Sequence, residues 1–121
     1  TELVPSLRES GSILSAADDA RRFAEHGIAL AFGTDIMAMR RPGEAIALEL
    51  ARLREAGFDP ATILTIATAN AARFVGRSTH DLVAGSRADI VLLDAENPMD
   101  ALVRTPPRAL VIGGGRVLHA A

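Results

Sequence analysis

Between residues 28 and 32 the chain reads Ile-Ala-Leu-Ala-Phe, five apolar residues in a row. The run is reached directly from Gly27 and stops at Gly33-Thr34-Asp35. A stretch this short, with no alternation of polar and apolar, suits a parallel strand covered on both faces. Ahead of it, Ala17, Ala20, Phe23 and Ala24 recur at helical spacing. Ser15 with Asp18 reads as a capping box, and Gly27 as the left-handed stop. Helix, glycine turn, buried strand and polar tip make one unit of an α/β protein.

Residues 1–14 read as loop with one short strand or turn, and residues 36–43 as loop. A helix is predicted from about Glu44, with Ile46, Leu50 and Leu53 on its buried stripe and Gly57 at its end. Asp59-Pro60 marks another start, a capping carboxylate followed by proline at the first helical position. That helix presents Ile63, Ala67, Ala71 and Phe74 on one face and stops at Gly76. Beyond a polar loop, strands dominate. Residues 88–94 read as a strand, Asn97-Pro98 and Pro106-Pro107 as punctuation. Residues 109–112 and 116–119 flank Gly113-Gly114-Gly115 as a β-hairpin. The expected division is residues 1–80, rich in helix, and residues 81–121, rich in strand.

Composition removes several functions. All 13 basic residues are Arg, and a net charge of -2 gives no field for attracting nucleic acid or an anionic membrane. Aromatics are 3% of the 121 residues, without Trp or Tyr, so there is no stacking platform for single strands. Without Cys there is no disulfide framework, thiolate metal site or thiol nucleophile. No apolar run approaches the roughly 18 residues of a membrane span. Thr1-Glu2-Leu3 opens no basic, then apolar, leader, and the expected compartment is the cytoplasm.

Few residues offer chemistry. His26, His80 and His119 each stand alone, without a second donor at metal-ligand spacing, and are read as structural. The Gly113-Gly114-Gly115 run leads into strand residues rather than a helix, so it is no phosphate cradle. Asp35 stands one step past the end of the predicted strand, the edge of a parallel sheet where ligands bind. An aspartate that merely turns the following loop would sit in the same place. On position alone both readings stand.

The order of motifs adds a further indication. Gly33-Thr34-Asp35 is followed by Glu49-Leu50-Ala51-Arg52-Leu53, then Ala56-Gly57-Phe58-Asp59-Pro60. After these come Ala67-Thr68-Ala69-Asn70-Ala71-Ala72-Arg73-Phe74-Val75-Gly76 and the Gly85-to-Asp94 stretch. Asn97-Pro98 and the hairpin leading to Gly115-Arg116-Val117 complete the series. Over roughly residues 16 to 119 this resembles the C-terminal third of the amidohydrolase superfamily, in its imidazolonepropionase-like and cytosine-deaminase-like branches.

The resemblance implies the last βα units of a (β/α)₈ TIM barrel, followed by strands of a small β-sandwich domain. It implies hydrolysis of a C–N bond in an amide, cyclic amide or aminated ring, by water activated at a divalent metal, usually zinc. Asp35 matches the family's aspartate at the tip of the eighth strand, metal ligand and proton acceptor together. Met37, Met39 and Arg40 follow it in a loop able to line a substrate pocket. Thr68 and Asn70 are expected to bond backbone near the barrel rim, and Asp89 to tie down the Gly85 turn. The family's other ligands are a His-x-His pair, a Lys or Glu and further His residues, and this chain has no Lys and no His-x-His. On this reading the 121 residues alone hold no metal and turn over nothing. Their partners are a small-molecule substrate in the parent enzyme, and the remainder of the barrel or further copies of the chain. The alternative is a truncated, non-catalytic oligomerisation module.

Overall fold

A computed structural model of the chain describes residues 12–35, 41–77 and 82–121. Helix α1 (Ser12–Glu25) begins one turn earlier than the capping pattern predicts, so Ser15 is an interior residue and not the N-cap. No Gly or Pro separates Ser12 from Ser15, so nothing stops the helix from extending by that turn. Helix α2 (Pro42–Glu55) has Pro42 in its first turn after an extended Arg41. Glu44 near its start and Arg52 and Arg54 near its end complement the helix dipole. Its buried residue is Ala45, while Ile46, expected on the inner stripe, is 43% exposed. Gly27, Gly57 and Gly76 all take positive φ where the helices were expected to end.

Helix α3 (Pro60–Thr65) starts as predicted: the Asp59 carboxylate accepts from Thr62 N, and Pro60 occupies the first turn. Hydrogen bonds from the Thr62 hydroxyl and amide hold that carboxyl below its ordinary pKa. The helix continues through a π-helical turn (Ile66–Asn70) into α4 (Ala71–Phe74). Ile63 and Ile66 are buried, but Phe74 is 74% exposed, so the predicted apolar face is covered only at its first half.

The run at residues 28–32 is the main departure from expectation. It joins no strand ladder among the described residues, and Ile28 is 47% exposed. Five apolar residues can form a strand only beside another strand, and none of the described residues supplies one. The described sheet has three strands, β1 (Ile90–Leu93), β2 (Arg108–Gly113) and β3 (Arg116–Ala120), all antiparallel, with β2 central. The described residues make a small α/β arrangement with one antiparallel sheet, and the predicted strand of the expected βα unit is unpaired among them.

Gly114 and Gly115 both have positive φ, the requirement of a two-residue primed turn, and they close the predicted hairpin. Asp89 reaches across to this turn: its carboxylate accepts from Gly114 N at 2.6 Å and also pairs with Arg87, next to the Gly85 turn. Gly115 N donates to Ala88 O at 2.9 Å beside it.

Helix α5 (Pro98–Arg104), between β1 and β2, was not expected from the sequence. Its signal is the same as that of α3, with Asn97 accepting from Asp100 N and proline at the first position. Asp100 reaches back to Glu96 N and pairs with Arg104, which also donates to Asp94 O. The Arg104 hydrogen bond, with that from Glu96 N, pulls the Asp100 carboxyl down to about 2. A depressed carboxyl stabilises the fold above its unfolded pKa, and that contribution disappears as pH falls through the folded value. Between about pH 4 and 2 the wild type should therefore lose stability more steeply than Asp100→Asn. Thermal unfolding at stepped pH checks this; parallel slopes would refute it. Because the pair is exposed, high salt should shrink the difference.

Candidate active site

Residues 28–35 leave α1 through a closed turn in which Ile28 N donates to Phe23 O at 2.9 Å. Farther along, Phe32 N donates to Ile66 O at 3.1 Å, and Asn70 Nδ2 donates to Leu30 O at 2.8 Å. The segment is thus hung on the π turn by its first and last residues. Leu30, Phe32 and Thr34 are half-buried, whereas Ala29, Ala31, Gly33 and Asp35 are exposed. This period of two is that of an extended chain with one side covered. Asp35 lies on the open side.

Asp35 has φ 43, in the left-handed region. Non-glycine residues seldom adopt it, Asp and Asn being among the more tolerant, and such conformations gather at functional sites. Met37, Met39 and Arg40 lie outside the described residues, as does His80.

Thr68 and Asn70 bond backbone as expected, but in different directions. Thr68 Oγ1 donates to Leu64 O of its own helix at 2.7 Å, while Asn70 crosses to residue 30. Arg73 Nη1 lies 3.4 Å from Asn70 Oδ1. Guanidinium on the oxygen and a carbonyl on the nitrogen leave the amide one sensible orientation. What the sequence reading misses is the π turn itself and the part its Ile66 carbonyl plays, because a shifted helical ladder has no residue signature.

The two described histidines are engaged with backbone. His26 Nδ1 donates to Arg22 O at 2.9 Å near the end of α1, a structural role. His119 Nε2 donates to Arg108 O at 3.2 Å across the β2–β3 hairpin. A shallow concavity on the sheet is lined by Pro107, Arg108, Val111, His119 and Ala121. It does not include Asp35, and His119 on its wall has Nε2 turned to the Arg108 carbonyl.

The profile of the Amidohydrolase family matches residues 7–118, nearly the whole chain, with Asp35, the segment before it and the π turn included. This chain belongs to the amidohydrolase family. It is 30% identical over 111 residues to the imidazolonepropionases of Geobacillus thermodenitrificans (strain NG80-2) and Geobacillus kaustophilus (strain HTA426). Each match takes in 88% of this chain and 26% of the relative. The chain therefore spans about a quarter of the length of the curated relatives it matches.

Amidohydrolases generally depend on a metal, which raises the question of whether these residues fit one. A catalytic zinc takes three protein ligands converging on one point. Among the described residues no group of three or more His, Asp or Glu side chains is placed to hold an ion. Asp35 offers one carboxylate, and His26 and His119 are turned to backbone carbonyls. The donor set does not fit a complete metal site, and a metal at Asp35 would need ligands from outside these residues.

Proposed function

We propose that this amidohydrolase chain serves the hydrolysis of a C–N bond in a cyclic amide, amide or aminated ring, with Asp35 as the proton-accepting carboxylate. The observation that carries this is the placement of Asp35. It ends a segment anchored from one side, with its carboxylate on the open side and its backbone left-handed. In the reaction a water oxygen bonds to the electrophilic carbon as Asp35 takes one of its protons. The C–N bond then breaks, and the departing nitrogen receives that proton. A carboxylate in reach of the attacking water provides this transfer in both directions.

On the same reading, residues 1–80 belong to the closing units of a barrel and residues 81–121 to a smaller β domain. The divalent metal, zinc in most of the family, would be completed by ligands from the rest of a longer protein. The relatives' names make imidazolonepropionate the first substrate to assay, using the longer protein that contains this chain. Hydrolysis that depends on Asp35 supports the reading. An active enzyme indifferent to Asp35 refutes it.

A second reading concerns the 121 residues in isolation. Ala45, Ala56, Ile63 and Ile66 are the buried apolar core among the described residues, and the edge strand β3 is exposed throughout. Val117 and Leu118 stand on that edge, and an apolar edge pairs readily with another chain. The isolated chain should therefore form homodimers or larger assemblies. Light scattering over a range of micromolar concentrations tests this, and a monomer at every concentration would contradict it.

A further inference from the structure

We propose that Asn70 is a positioning residue for Asp35, acting through the backbone of residues 30–35. The inference rests on the reading of Asp35 as the proton acceptor and adds to it the device that sets its location.

Among the described residues no strand ladder holds the segment leading to Asp35. Two hydrogen bonds do, and both originate in one turn of helix. Ile66 O, at the first residue of the π turn, takes Phe32 N, while Asn70 Nδ2, at the last, holds Leu30 O. Single π turns recur at functional sites, and this one has both ends committed to the segment that presents Asp35. The two anchors fall on alternate residues, so they fix which side of the segment faces the helix and hence which side stays open. Asp35 lies three residues past the last anchor, within about 10 Å of chain.

Of the two anchors only Asn70 is a side chain, so it is the one substitution can remove. Its amide is oriented from both ends, by Leu30 O on the nitrogen and Arg73 Nη1 on the oxygen. Without Asn70, Phe32 N makes the one remaining hydrogen bond, among those of the described residues, from the segment to the π turn. A displacement of about 1 Å at a reacting group is enough to cost on the order of 10²-fold in rate. Asn70 touches no reacting atom; its effect on chemistry passes through Asp35.

The test is a double-mutant cycle in the longer enzyme, assayed with imidazolonepropionate. Asn70→Leu keeps the size and removes the donor, and Asn70→Asp keeps the shape and turns the donor into an acceptor. Each should lower kcat about tenfold or more while KM stays within about twofold, because positioning acts on the transition state. Combined with Asp35→Asn, neither should slow the reaction further, since groups acting as a unit are not additive. Should Asn70→Leu fail to fold, Asn70→Asp carries the same cycle. Wild-type kcat in a folded Asn70 variant overturns the proposal, and so do losses that multiply in the double variant. Wild-type turnover in Asp35→Asn instead removes the reading of Asp35, and with it any positioning role. An inactive Asp35→Asn beside a fully active Asn70→Leu sinks the positioning role alone.

Discussion

Asp35→Asn lowers kcat by about 10² to 10⁴-fold in the longer enzyme, and the thermal midpoint does not move. The magnitude is that of a proton transfer lost from a positioned side chain. Stability is spared because Asp35 is exposed. Asn is the informative replacement: it has the same shape, and it tolerates the left-handed backbone that Asp35 adopts at φ 43. What is removed is the carboxylate's charge, with its ability to accept a proton and to ligate a metal. Ala in the same place would add a backbone penalty to the chemical loss and blur the two. Steady-state kinetics with calorimetry on the same preparations separates them. More than about a tenth of the wild-type kcat in the Asn variant is incompatible with Asp35 as proton acceptor.

The second large effect concerns stability. Ile63 is fully buried at 0% exposure, in a core whose other apolar members among the described residues are Ile66 and two alanines. Ile63→Ala should cost about 2–5 kcal/mol, because transfer and cavity terms add where neighbours cannot close in. Ile63→Val, one methylene smaller, should cost about 0.5–1.5 kcal/mol. Phe74→Ala deletes a larger side chain, but one 74% exposed, and should stay within about 0.5 kcal/mol in the 121-residue chain. Urea unfolding followed by circular dichroism ranks the three. Phe74→Ala matching Ile63→Ala would mean that Phe74 is covered in solution, and the described core would be wrong.

The sequence shows best what is decided within four residues. Asp59-Pro60 announces α3, and Gly27, Gly57 and Gly76 end helices where their left-handed φ is needed. Gly114-Gly115 closes a hairpin for the same reason. Asn97-Pro98 carries an identical cap signal, but a helix of 7 residues has too little periodicity behind it to stand out. Residues 28–32 join no ladder among the described residues, because apolar character says that a segment wants cover, while the cover itself comes from elsewhere in space. Phe74 fails in the same way, at correct spacing on a face that nothing among the described residues closes. The candidate site is legible only as a carboxylate. Asp35 stands out by its position, whereas its support comes from an amide 40 residues from the carbonyl it holds and from a backbone oxygen in a π turn. No window of sequence brings those together.

The bonds from the hairpin turn back to Ala88 and Asp89 have a bearing on where this chain can be divided. Gly114 N on Asp89 and Gly115 N on Ala88 O join the start of the sheet to its last turn. The path from residue 88 through β1, α5 and β2 and back is a ring closed without a covalent link. A fragment boundary anywhere inside residues 88–115 opens that ring and separates strands that hold one another's register. A boundary before residue 88 leaves the ring whole and parts only the contacts that join it to the helices, those of α5 with α2 and α3 among them.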